Sequence, residues 1–162
     1  MDKEKYRILT INPGSKYIGV ALFIESELRM WKVYSLSYAD MKKKLAKIYD
    51  VIKKAKEDHQ ITTVIIKKLH RSRSSNNLDI IIKKIREIIQ KLKLKLYEYT
   101  IQSVKFVLLP RQKGNKYQLM EEIVSLYPHL SVLQKKELKN KNKYYIRMFE
   151  AVALGCMIVM KA

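Results

Sequence analysis

Three apolar, β-branched runs crowd the start of this chain: Tyr6–Thr10, Tyr17–Ile24 and Leu28–Tyr34. Only short turns separate them, Asn12-Pro13-Gly14-Ser15 and Glu25-Ser26-Glu27. Connections this short leave no room for a crossover, so the spacing predicts an antiparallel meander of hairpins. From Asp40 to about Asp58 the period changes. Met41, Leu45, Ile48, Tyr49 and Ile52 recur at helical spacing. The next β-branched run, Thr62–Lys67, follows that helix and is therefore expected to lie parallel to the first strand. A meander with a parallel strand added through a helix is a strong constraint. It demands a mixed sheet with helices packed on its faces.

The remaining pattern fits one domain, residues 1–162, with no repeat and no linker. A polar cationic loop, Leu69–Asn77, leads into a long helix striped by Leu78, Ile81, Ile82, Ile85, Ile89 and Leu92. Val104–Leu109 reads as another strand, and Pro110–Lys116 as a basic loop with Gly114 at its turn. Tyr117–Leu126 reads as a helix, Gln134–Lys143 as a solvated cationic stretch, and Tyr144–Met160 as a closing helix. In open α/β sheets, ligands collect at the carboxyl ends of strands. That places Asn12, after the first strand, beside Lys67, at the end of the fourth.

Charge narrows the function. The chain carries 34 Lys and Arg against 15 Asp and Glu, a formal net charge of +19 over 162 residues. Nucleic acid is the first polyanion to consider, an anionic membrane surface the second, and a generally lysine-rich composition the third possibility. The longest apolar run, Ala151–Met160, is too short to span a bilayer. A lone cysteine, Cys156, excludes an internal disulfide, and no signal-peptide pattern opens the chain, so an intracellular setting is expected.

Four segments together carry a resemblance. "ILTINPGSKYIGVALF" (Ile8–Phe23) is similar to the first strand, Ile-Asp-Pro-Gly-Ser turn and second strand of the RuvC-type Holliday-junction resolvases, members of the RNase H-like superfamily. "VIIKKLHRSRSSNNL" (Val64–Leu78) resembles their fourth strand, which ends in a glutamate, and the DNA-contacting loop after it. "YEYTIQSVKFVLLPRQKGNKYQLMEEIVSLYP" (Tyr97–Pro128) resembles their Val-Lys segment, glycine-lysine turn and following helix. "RMFEAVALGCMIV" (Arg147–Val159) resembles the closing helix that carries two acids. The resemblance runs through nearly the whole chain and implies an RNase H-like α/β fold: a three-strand antiparallel meander plus parallel strands, with helices on both faces. The opening motif is also shared by YqgF-like proteins.

The resemblance implies a site built from four carboxylates that hold two Mg²⁺ ions for phosphodiester cleavage. This chain departs from it. The matching positions are Asn12, Lys67 (Lys68 if the register shifts by one), Arg147 and Glu150, of which only Glu150 is acidic. Four carboxylates would carry −4, whereas these four side chains together carry +1. Two unit cations about 4 Å apart already repel by about 4 kcal/mol at an effective dielectric near 20. A two-metal centre is therefore not expected, no cofactor is expected, and Glu150 is the sole candidate ligand. Mg²⁺ would be required only if the chain were active through other acids. Asp79, Glu121 and Glu122 are the candidates for such a rewired centre, and each also reads as a solvated helix residue. His59 and His129 lack partners at metal spacing and read as surface residues.

Contacts to nucleic acid are expected from His70, Arg71 and Arg73 in the first cationic loop, with Ser72–Ser75 as further donors. Lys105, Lys113, Gly114 and Lys116 match the family's Val-Lys and glycine-lysine positions and are expected to contact DNA. The lysines of 135–143 are either a further contact or a solvated stretch. A homodimer follows from the resemblance, and Ile80 and Ile88, off the main stripe of the long helix, leave room for a partner. The expectation is a protein that binds branched or double-stranded DNA, with cleavage lost or severely impaired. The rivals are an active Mg²⁺-dependent structure-specific endonuclease, a YqgF-like RNA-processing protein, and a structural subunit paired with an active homologue.

Overall fold

The structure, a computed structural model, describes residues 6–36, 40–69, 75–111, 114–141 and 143–161. Five strands form one sheet: β1 (Arg7–Asn12), β2 (Tyr17–Ile24), β3 (Glu27–Ser35), β4 (Thr63–Lys68) and β5 (Lys95–Thr100). Their order is β3-β2-β1-β4-β5. The first three strands pair antiparallel, and β4 joins β1 in parallel with Ile11 opposite Ile66. The β2–β3 turn is the tight kind that matches strand twist, with Glu25 and Ser26 both at positive φ, 52° and 73°. The helices are α1 (Met41–His59), α2 (Asn76–Lys91), α3 (Ile101–Leu108), α4 (Lys116–Leu126), α5 (Ser131–Asn140) and α6 (Tyr144–Lys161), with a short 3-10 turn at Pro128–Leu130.

Two cores sandwich the sheet, because side chains alternate across a strand. Leu9, Ile11, Val20, Leu22, Val64 and Ile66 face α1 and α2. Ile8, Ala21, Phe23 and Ile65 face the other way, onto α6 and its neighbours. The backbone of α6 approaches β2 closely at Gly19, where an added Cβ would lie 2.0 Å from the Arg147 carbonyl oxygen. Thr10 locks the same seam: its hydroxyl donates to the Ala151 carbonyl at 2.6 Å, and Thr10 is fully buried.

Two expectations from sequence are corrected here. Val104–Leu109 is not a strand but the body of α3 and its C-cap. Thr100 caps this helix by accepting from the Ser103 amide at 3.1 Å, and Val104 and Leu108, four apart, are its buried face. Packing on α6 overrides the β-branched composition. The parallel edge strand is instead Lys95–Thr100, paired with β4 from Thr63↔Lys95 to Lys68↔Thr100. Residues 134–143 are likewise not simply a solvated stretch, since Gln134–Asn140 belong to α5. Glu137 within it is 1% exposed and accepts from the Ile146 amide at 2.9 Å and the Lys143 amide at 3.2 Å. This carboxylate satisfies amides at the start of α6 and so fixes where that helix begins.

Gly114 offers a comparison with Gly19. A Cβ at Gly114 would meet Leu109 Cδ1 at 2.3 Å, the movable end of a side chain and not backbone. Overpacking typically costs about 1–3 kcal/mol, and most where nothing can move. Gly19→Ala is therefore expected to lower the urea unfolding free energy by about 3 kcal/mol and Gly114→Ala by less than about 1 kcal/mol. Equal losses would contradict this account of the α6 seam.

Candidate nucleic-acid interface

Strand alternation decides which residues can meet above the sheet. Thr10 and Ile65 point toward α6, so Asn12 and Lys67, two residues further along their strands, point the same way. Arg147 and Glu150 are one turn apart on α6 and approach from above. The four positions singled out from sequence thus converge. Asn12 is fully buried. Its Nδ2 donates to Glu150 Oε2 at 3.0 Å and to the Arg147 carbonyl at 3.2 Å. Lys67 Nζ donates to the same Glu150 oxygen at 2.5 Å. The Lys67 and Glu150 side chains are only 12% and 15% exposed. The Arg147 guanidinium lies against the Asn12–Ser15 turn, since a Cβ on Gly14 would sit 3.2 Å from Arg147 Cζ.

This donor set does not fit a pair of Mg²⁺ ions. Mg²⁺ takes hard anionic oxygens in a near-octahedral shell. The single carboxylate already receives an ammonium and an amide on one oxygen. Asn12 Oδ1 is buried without a hydrogen-bond partner, but it is one neutral oxygen. A metal here would have to displace Lys67 and sit beside cations. The alternative acids do not converge on the site. Asp79 lies exposed in the first turn of α2, and Glu121 and Glu122 lie on α4. Among the described residues, no three His, Cys, Asp or Glu side chains form a metal cluster.

The surroundings suit an anion. A cleft of about 660 Å³ opens beside Glu150, lined by Lys67, Lys68, Lys105, Lys116 and Lys143. Of the residues anticipated as contacts, Lys105 and Lys116 line this cleft, and Gly114 lies just before Asn115 on its wall. His70, Arg71, Arg73 and Lys113 lie outside the described residues. Sequence reasoning did not single out Gln102, and it weighed Lys143 only within the run 135–143 and Lys68 only as a register alternative. The signal for Lys68 was its place at the parallel end of β4. Nothing local set Lys143 apart from the other lysines of that run, because its position depends on Glu137 holding the start of α6.

Other reactive groups stand apart. Cys156 is buried, and loss of solvent pushes its thiol up to about 12, so it stays protonated. His129 stacks on Trp31 with ring centroids 4.7 Å apart, and His59 is exposed at the end of α1.

Removing one partner of a shielded ion pair strands the other. Lys67→Met is expected to cost about 1–3 kcal/mol in urea unfolding, and adding Glu150→Met should recover most of that loss. If the double variant loses as much as the sum of the singles, the pair is not coupled.

Comparison with known proteins concerns the frame that carries this site. No protein-family model matches the chain, and no curated protein matches it in sequence. Solved structures do. RuvC from Thermus thermophilus aligns over 95% of this chain and 95% of its own, with a TM-score of 0.69 at 12% identity. The T. thermophilus RuvC in complex with Holliday junction substrate aligns over 94% of this chain and 91% of its own, at a TM-score of 0.68 and 15% identity. The yeast mitochondrial Holliday junction resolvase Ydc2 aligns over 95% of this chain and 78% of its own, at a TM-score of 0.64 and 11% identity. With its mixed five-strand sheet flanked by helices, the chain has the RNase H-like α/β fold in the form found in RuvC-type resolvases.

Proposed function

We propose that this protein binds branched or double-stranded DNA through the basic cleft, prefers a four-way junction, and has lost metal-dependent cleavage or retains it only in severely impaired form. One observation carries the reading: Lys67 occupies the Glu150 carboxylate that a metal would need, in the wall of a cleft with four further lysines. A lysine-lined cleft of this size suits phosphate oxygens, which it would hold as fixed charges. Its resident acid is already neutralised by Lys67, so it does not repel the phosphate. One of the solved structures that share the fold holds a Holliday junction, which supports the choice of DNA and of a branched form. Dimerisation belongs to the same proposal. Ile80 on α2 is 45% exposed and available to a second copy, whereas Ile88 is buried within its own chain.

The test mixes the protein with a labelled four-way junction, Mg²⁺ or Mn²⁺, and excess linear duplex, read on native and denaturing gels. The expected result is a junction-specific shift with intact strands. Paired symmetric nicks would overturn the loss of cleavage. No shift with the junction, together with a shift on structured RNA, would overturn the choice of DNA. Binding should weaken steeply with salt, and Lys105→Ala should reduce the slope of log K against log salt by about 1.

A further inference from the structure

Phe106 is the most exposed large apolar side chain among the described residues, at 78%. Its position follows from the helix. Val104 and Leu108 bury the inner face of α3. At 100° per residue, Phe106 stands on the opposite side, where it contributes nothing to the core. Gln102, one turn earlier on the same side, lines the lysine cleft, and so does its neighbour Lys105. Phe106 does not line the cleft itself but stands next to Lys105 and one turn on from Gln102, which do. A second aromatic stands on the next helix. Tyr117 is 38% exposed, and the ammonium of Lys116, which lines the cleft, lies 5.2 Å from its ring centroid.

Lysines grip a phosphate chain directly, and an exposed ring that no cation covers adds nothing to that grip. A ring becomes useful when a base is available to stack on it, which an intact duplex does not offer. We propose that Phe106 is a stacking platform for an unpaired nucleobase, so that the cleft takes DNA whose bases are single-stranded or splayed from the duplex. This rests on the nucleic-acid reading above and sharpens its substrate class. The charge of the cleft selects a nucleic acid over an apolar protein surface as the occupant. The five lysines of the cleft would have to be desolvated against an uncharged partner, whereas phosphates meet them directly.

The test compares binding of fluorescein-labelled oligothymidylate, a duplex of equal length and a four-way junction by fluorescence anisotropy, with wild type, Phe106→Ala, Phe106→Leu and Phe106→Trp. Far-ultraviolet circular dichroism and sedimentation are recorded for each. Phe106→Ala and Phe106→Leu should weaken oligothymidylate binding by about tenfold, and Phe106→Trp should retain it. Duplex affinity should be unchanged in all three. Equal losses for duplex and single strand would overturn the proposal, as would no loss, or a fall in oligomer mass on Phe106→Ala that places the ring between copies of the chain. A wild-type protein that binds the duplex and junction, with Phe106→Ala indifferent, sinks this inference alone. A wild-type protein that binds none of the probes sinks the functional reading as well.

Discussion

A single carboxylate oxygen, Glu150 Oε2, ties together three elements at this end of the sheet. It accepts from Asn12 on β1 and from Lys67 on β4, and it is carried by α6. Parallel β1 and β4 place the two donors side by side. Gly19 lets α6 come down far enough for its acid to reach them. Glu137 fixes where α6 begins, and so sets the turn on which Arg147 and Glu150 fall. Moving any of these would leave a shielded charge without its partner, which is the costly outcome for a group so little exposed.

That arrangement has the opposite charge to the four-carboxylate site that the resemblance implies. Its four positions converge above the carboxyl ends of the central strands, where open α/β sheets hold their ligands. Their sum is cationic instead of strongly anionic. A site that would attract divalent metal by its charge becomes one that attracts phosphate directly. The lysines of the cleft extend the same potential outward. Fixed ammonium groups can orient a phosphodiester, but they supply no hydroxide and no Lewis acid, which is why the proposed function separates binding from cleavage.

Much of this was legible in the sequence because it depends on local rules. The strand at Tyr17–Ile24 was read at its observed bounds. Hairpin turns of two to four residues dictated the antiparallel meander, and the helix between the first and fourth strands dictated the parallel pairing that brings Asn12 to Lys67. What failed depends on tertiary context. Val104–Leu109 has the composition of a strand, yet a threonine cap and the α6 surface make it helical. The true strand, Lys95–Thr100, alternates in a way the sequence does show, but its charged residues concealed it. Glu137 sat unremarked among lysines, because nothing local indicates that one acid in a basic stretch will be buried. The exposure of Phe106 was hidden for the same reason, since a strand assignment would have placed it differently. Residues 70–74 and Lys113, which sequence reasoning favoured as contacts, lie outside the described residues.

The most direct measurement is the electron paramagnetic resonance signal of free Mn²⁺ as purified protein is titrated into it without DNA. With Lys67 seated on the only carboxylate of the site, the free-ion signal should persist at equimolar protein. Loss of that signal with saturation at one or two ions per chain would show that metal displaces Lys67. The claim that a lysine stands where the metal would act would then be wrong.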